Sequence, residues 1–269
     1  MPVPTPGRIA KQFTAHYLPI VDLNTGAVAG FEALARVVKA NGSITSAGGV
    51  IEQIERRSDT LKVLIRTILA SIRRDMVPLF ERHQHFYVSV NIPPVILGSG
   101  EVLRLVKELK LTPHLSRIAC EVTERQALTA LGRSALDRAR RSGMSVAIDD
   151  FGTGHSGLMQ IAGLDFDILK IDHSLINTIL TNQTAGRMLR GIVALAAALR
   201  LHTVAEEWKP GKKLFFFVRL VSIVVKVGFG VGRSPRWKLP GCWRRVILSH
   251  GTIGPGQKNL ERIFSVSQD

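Results

Sequence analysis

An α/β barrel of the (β/α)8, TIM-like kind is the fold class this chain predicts, and three observations predict it. Strand-like and helix-like segments alternate over residues 86–206, the pattern of repeated βα units. The run Val146-Ala147-Ile148 is apolar at every position, as a strand covered by helices on both faces must be. Almost every strand-like run ends in a carboxylate or an amide, and in a parallel barrel such ends converge on one rim.

The elements follow in order. Residues 14–22 read as a strand, Asn24-Thr25-Gly26 as a turn, and residues 27–34 as a second strand, so the domain opens with a hairpin. Apolar spacing predicts helices over 46–57 and 60–80. In the second, Leu61, Leu64, Ile65, Ile68, Leu69 and Ile72 form one face. The alternation then places strands at 86–91, 117–123, 145–149, 166–172 and 201–206, with helices at 101–109, 124–142 and 184–199.

Composition narrows the class further. Hydrophobic residues make up 45% and charged residues 21% of the 269-residue chain, ordinary for a globular protein. Two distant cysteines, Cys120 and Cys242, make neither a disulfide framework nor a C-x-x-C metal pair. The first twenty residues lack an apolar signal core, so a cytoplasmic location is expected. The net charge is +15, which by itself suggests nucleic acid or an anionic membrane. Its distribution argues otherwise: from Glu207 onward, twelve Lys and Arg stand against three Asp and Glu. The surplus belongs to one segment, and that segment must explain it.

The strand ends carry the chemistry. Glu32 lies near the end of the second strand, Asn91 ends the third, and Glu121 lies in Cys120-Glu121-Val122-Thr123-Glu124. Asp149 and Asp150 precede Phe151-Gly152-Thr153-Gly154. Lys170 and Asp172 share Leu169-Lys170-Ile171-Asp172, and Glu206 closes the last strand. Any one of these reads as an exposed loop residue or an ion-pair partner. Six strand ends with one chemistry do not read that way as a set. A tight acid cluster cannot stay ionised without cations, and hard oxygen ligands suit Mg²⁺ or Mn²⁺. Two such ions can activate a water and stabilise the leaving oxygen of a phosphate ester.

These residues resemble a known family. Phe31-Glu32-Ala33-Leu34-Ala35-Arg36 contains the Glu-Ala-Leu signature of EAL-type cyclic di-GMP phosphodiesterases. Tyr17-Leu18-Pro19-Ile20-Val21-Asp22 is similar to that family's opening strand. Asp149-Asp150-Phe151-Gly152-Thr153-Gly154 and Leu169-Lys170-Ile171-Asp172 match its motifs in order and spacing. The resemblance runs to Glu206 and implies an EAL domain over residues 1–206, starting near 14. It implies hydrolysis of one phosphodiester bond of cyclic di-GMP to linear 5′-pGpG with Mg²⁺ or Mn²⁺. By that resemblance Glu32, Asn91, Glu121 and Asp149 would hold a first metal, and Asp149 and Asp150 a second. Lys170 and Glu206 would orient or deprotonate the attacking water, and Arg36 would meet a substrate phosphate. Glu124 would steady the loop 150–156, and Asp172 would also serve loop order. Cyclic di-GMP and a second copy of the chain, as a homodimer, are the expected partners; nucleic acid and membrane are not. The chain departs from the family at Leu18 (Gln), Pro93 (Ser), His155 (Tyr) and Gly157 (Ser). A degenerate EAL receptor that binds cyclic di-GMP without cutting it is the alternative reading.

After Ala205-Glu206 the family continues Gly-Val-Glu-Thr, whereas this chain reads Glu207-Trp208-Lys209-Pro210-Gly211-Lys212-Lys213. Inserting a single G after the codon for Glu206, with codons this sequence permits, restores Gly-Val-Glu-Thr-Arg-Glu-Glu. The same frame recovers Gly-Ile-Asp-Cys-Gly-Gln over 220–226 and Gly-Trp-Leu-Arg-Gly-Arg-Pro over 226–235, like the family's closing motif. Residues 207–269 therefore read as a frameshifted basic and apolar tail, and the barrel is expected to lack its last strand and helix. The tail's competing readings are weaker. As a membrane span, 214–232 contains Arg219 and Lys226, each costly at mid-bilayer. As a nucleic-acid arm it shows no known module.

Overall fold

The structure is a computed structural model that describes residues 4–22, 27–153, 161, 163–179, 182–208 and 223–227. The Asn24-Thr25-Gly26 turn, the departures His155 and Gly157 and most of the tail lie outside the described residues.

Helix α1 (Pro6–Gln12) leads into a long antiparallel hairpin of β1 (Phe13–Asp22) and β2 (Val28–Val38), followed by the short β3 (Ile44–Ser46). Helices α2 (Gly48–Glu55), α3 (Ser58–Asp75) and α4 (Val77–Arg82) precede β4 (Tyr87–Asn91). Then come α5 (Pro94–Gly98), α6 (Glu101–Glu108), a 3-10 turn (Thr112–Arg117) and β5 (Ile118–Thr123). Helices α7 (Glu124–Ala127) and α8 (Ala130–Arg141) lead to β6 (Ser145–Phe151) and β7 (Ile168–Ile171). Last are α9 (His173–Ile179), α10 (Gln183–Ala198), β8 (His202–Trp208) and β9 (Ile223–Val227).

The predicted elements are present, with two helices divided. The apolar face expected over 60–80 is buried at all six positions, but the helix ends at Asp75 and restarts at Val77. Pro78 sits in the first turn of α4; it lacks an N–H and its ring clashes with the preceding turn, so it cannot continue α3. The segment 124–142 divides at Thr129, whose hydroxyl accepts a hydrogen bond from the Gly132 N–H at 2.9 Å and starts α8 as its N-cap.

The sheet runs β1-β9-β8-β7-β6-β5-β4-β2-β3, and β1 also pairs with β2, so eight strands close into a ring. Strands β2 and β4 to β9 are parallel neighbours, and β1 is antiparallel to both β2 and β9. The sequence leaves the ring open after Glu206; in the structure Ile223–Val227 occupies that position. Its Val225 pairs with Ala205 on one side and Val21 on the other. The physical reason is local: Ile223, Val224, Val225 and Val227 are β-branched, which favours strand, and the gap offers two unpaired ladders. Among the described residues no helix follows β9.

Side-chain parity divides the interior into layers. Helix-facing residues such as Val88, Val90, Cys120, Val146 and Ile148 join the large core under the helices. Inside the ring, Ile20, Ala119, Ala147, Ile168 and Val204 form an apolar plug with Tyr87 against it. Gly30 admits the Tyr87 ring: a Cβ there would lie 2.6 Å from Tyr87 Cδ1. The plug is the floor on which the polar residues above it stand.

Proline at Val225 removes the ladder N–H of a strand that is paired on both sides. Each carbonyl orphaned in this way costs about 1–3 kcal/mol. Val225→Pro is expected to lower the thermal midpoint by several degrees, at roughly 2–4 °C per kcal/mol. An unchanged melt would show that β9 does not close the ring.

Candidate active site

Stepping two residues along each strand from the plug reaches the next inward layer. Gly30 leads to Glu32, Ala119 to Glu121, Ala147 to Asp149, Ile168 to Lys170 and Val204 to Glu206. Five strands thus place four carboxylates and one ammonium at the same height in the barrel. All are buried, with exposures of 2% for Glu32, 1% for Glu121, 7% for Asp149, 2% for Lys170 and 8% for Glu206.

Lys170 is the centre of this layer. Its Nζ lies 2.9 Å from Glu121 Oε2, 2.9 Å from Asp149 Oδ1, 3.0 Å from Glu206 Oε1 and 3.8 Å from Glu32 Oε1. Four of the acids expected to converge, Glu32, Glu121, Asp149 and Glu206, therefore come within reach of one atom. Burial alone would lower the Lys170 pKa, but the surrounding acids outweigh it and hold the ammonium well above its usual range. For Glu121 burial wins: despite Lys170, and with Glu32 and Asp149 adding to the effect, its carboxyl is pushed up to about 8. Burial also raises Asp149, to about 6, against the pull of Lys170.

Asn91 stands exposed above this layer and donates from Nδ2 to Glu121 Oε2 at 3.1 Å. Glu121 Oε1 has no hydrogen-bond partner among the described residues. At the end of β6 the ladder with β7 shifts register between Ile148 and Phe151, a bulge of the kind that re-aims side chains at sheet ends. Asp150 takes a left-handed φ of 58° there, at a cost of order 1 kcal/mol for a residue with a Cβ. Its backbone N–H bonds Asp149 Oδ1 at 2.9 Å. The bulge lets two consecutive carboxylates serve one site. Asp149, Asp150 and Glu206 each offer an oxygen within 4.8 Å of the others.

The remaining expected residues sit around this centre. Arg36 follows Glu32 and Leu34 on the same face of β2, toward the rim, and is half-buried. Burial lowers its pKa, and Glu32 partly offsets that. Glu124 is 2% exposed at the start of α7, and both its carboxylate oxygens lack a hydrogen-bond partner among the described residues. With Thr123, Arg125, Asp150 and Thr153 it lines a cleft of about 200 Å³. Asp172 is not brought into the cluster. Its Oδ1 accepts from the Ser174 N–H at 2.8 Å, and its Oδ2 lies 3.0 Å from His173 Nδ1 at the start of α9. Burial raises its pKa, but these hydrogen bonds outweigh it and hold the carboxyl below its usual value. Leu18 pairs with Glu32 across the hairpin, so the family's Gln position is an aliphatic wall of the site. Sequence reasoning passed over buried Ser89, which occupies the same layer on β4; counting back two residues from Asn91 finds it.

Residues 7–207 match the family model of the EAL domain. The chain belongs to the EAL domain family. This EAL domain is 31% identical over 208 residues to the probable cyclic di-GMP phosphodiesterase PdeB of Escherichia coli, covering 76% of this chain and 39% of that protein. It is 30% identical over 219 residues to the cyclic di-GMP phosphodiesterase NbdA of Pseudomonas aeruginosa, covering 76% of this chain and 27% of that protein. The chain thus spans well under half the length of these curated relatives. Among solved structures it resembles the PaMucR phosphodiesterase in complex with c-di-GMP, with a TM-score of 0.70 and 26% identity. That match covers 81% of this chain and 90% of the other. Among the described residues no helix is long and apolar enough to cross a membrane.

The donor set of this EAL domain fits a hard divalent cation. The candidate ligands are carboxylate and amide oxygens, more negative charge is gathered than one ammonium balances, and a buried Glu121 oxygen is unused. Replacing that buried carboxylate with its neutral isostere is expected to separate stability from ion binding. Glu121→Gln keeps an acceptor for Asn91 and relieves like-charge crowding. It is expected to raise the melting temperature in chelator and to weaken Mn²⁺ binding at least tenfold, read by calorimetric titration. Unchanged Mn²⁺ binding would remove Glu121 from the ligand set.

Proposed function

We propose that this chain is built to hydrolyse cyclic di-GMP to linear 5′-pGpG with Mg²⁺ or Mn²⁺. The observation that carries the reading is the buried layer in which Glu32, Glu121, Asp149 and Glu206 surround Lys170 at the parallel-strand ends of an EAL domain. In this reading Glu32, Asn91, Glu121 and Asp149 hold one ion, and Asp149 and Asp150 reach a second. Bound there, the ions would supply an activated water and charge stabilisation for the leaving oxygen. Glu206 and Lys170 orient the water; Glu206 takes its proton as the oxygen attacks phosphorus, one ester P–O bond breaks, and the leaving sugar oxygen takes up a proton from solvent to become a hydroxyl. Arg36 offers a planar guanidinium to a phosphate oxygen. Glu124 steadies the segment that follows Asp150, across the cleft they share. Asp172 supports the site at one remove, by fixing the start of α9 beside Lys170. The setting is cytoplasmic, and a homodimer is part of the reading.

A receptor that binds cyclic di-GMP without cutting it is favoured by one observation: Leu18 faces the site where the family carries Gln. Turnover separates the two readings. Mg²⁺- or Mn²⁺-dependent release of pGpG is expected from the frame-restored protein, with Glu32→Ala and Asp149→Ala in it each inactive. Equal turnover in excess chelator would sink the metal-dependent reading, and binding without turnover would establish the receptor.

We also propose that residues 207–269 come from a one-base deletion after codon 206. The support is the recovery of the family's continuation and closing motif in a single shifted frame. The chain as written carries Lys209 where the family has Glu, and it lacks the closing Gln-Gly, so weaker turnover is expected than from a frame-restored version. The measurement is a paired thermal melt and turnover assay of both proteins. Matching melts and rates would show that the tail is a working part of this barrel.

A further inference from the structure

The position of Lys170 carries an inference beyond catalysis. We propose that its ammonium is a built-in counter-cation, which holds the acidic layer together in the metal-free protein and competes with the divalent ion for Glu121 and Asp149. This rests on the reading of the rim as a divalent-ion site.

The geometry supports it in three ways. First, Lys170 is only 2% exposed, so water does not solvate its charge and the carboxylates must. Second, its four acidic neighbours come from β2, β5, β6 and β8. Without a central cation, four strands would press like charges together inside a closed ring. Third, the oxygens nearest to Lys170 are those a divalent ion would need. Glu121 Oε2 and Asp149 Oδ1 lie 2.9 Å from Nζ, and an ion bound to the same oxygens at ~2.0–2.6 Å would meet the ammonium at close range. The two cations therefore oppose each other. The lysine lets the barrel fold before the ion arrives, and it weakens the ion's grip afterwards.

The test compares the full chain with Lys170→Met, a change of similar volume that removes the charge. Melts are recorded in excess chelator and in saturating Mn²⁺, and Mn²⁺ binding is followed by electron paramagnetic resonance. In chelator the variant is expected to melt roughly 10 °C below the parent; in Mn²⁺ most of that gap closes. Its Mn²⁺ affinity rises several-fold. Adding Glu121→Gln to Lys170→Met removes one carboxylate, and the melt in chelator should recover in part.

Equal losses in chelator and Mn²⁺ would show a packing role and overturn the proposal. So would an unchanged melt in chelator, or a variant that stays insoluble even with Mn²⁺. If the parent binds Mn²⁺ but the variant's stability ignores it, only this inference fails. A parent that binds no Mn²⁺ takes down the rim reading as well.

Discussion

One buried ammonium surrounded by four carboxylates sets the terms for the rest of this molecule. Charges of this kind are costly away from water unless they are paired. Here the pairing is collective, because Lys170 answers Glu32, Glu121, Asp149 and Glu206 together. No two of these residues share a strand. The layer therefore exists only when the ring is assembled, and each strand's register must be right to within one residue. A slip of one position would exchange the acids for the helix-facing apolar set.

The apolar plug below the layer is what makes that register cheap to keep. Ile20, Ala119, Ala147, Ile168 and Val204 fill the lower barrel, and the same parity that buries them aims the next pleat's side chains at Lys170. Tyr87 completes the floor by lying over Gly30, where a side chain would leave no room. At β6 regular parity could direct only one carboxylate inward. The bulge and the left-handed Asp150 supply the second, so local backbone strain is accepted where two adjacent acids must face one place.

The tail shows how little a strand position asks of a sequence. A closed ring needs main-chain partners for the free edges of β8 and β1, and main-chain groups are the same whatever side chains they carry. A run of β-branched residues of the right length meets that need, which is why Ile223–Val227 takes the gap. A substrate wall asks more, because it depends on particular side chains. The family's closing Gln-Gly is absent from this stretch.

Much of this protein was legible in the sequence alone. Periodicity located the βα units and the buried face of α3, because the spacing of apolar residues reports which side of an element meets the core. The strand-end acids announced a shared rim, because parallel strands end on one side. Pro78 and Thr129 carried signals for the two helix breaks, but the longer apolar pattern obscured them. Tertiary structure alone decided what stands at the centre. Lys170 in isolation reads as an exposed loop residue or one partner of an ion pair, and only the assembled sheet shows that four strands direct acids at it. It also decided that Asp172 caps a helix and does not join the cluster, and that a strand from the tail closes the barrel. Sequence spacing reports which face a residue occupies along its own strand. Which charges then meet across the barrel depends on strand order, register and closure, and these are properties of the assembled sheet.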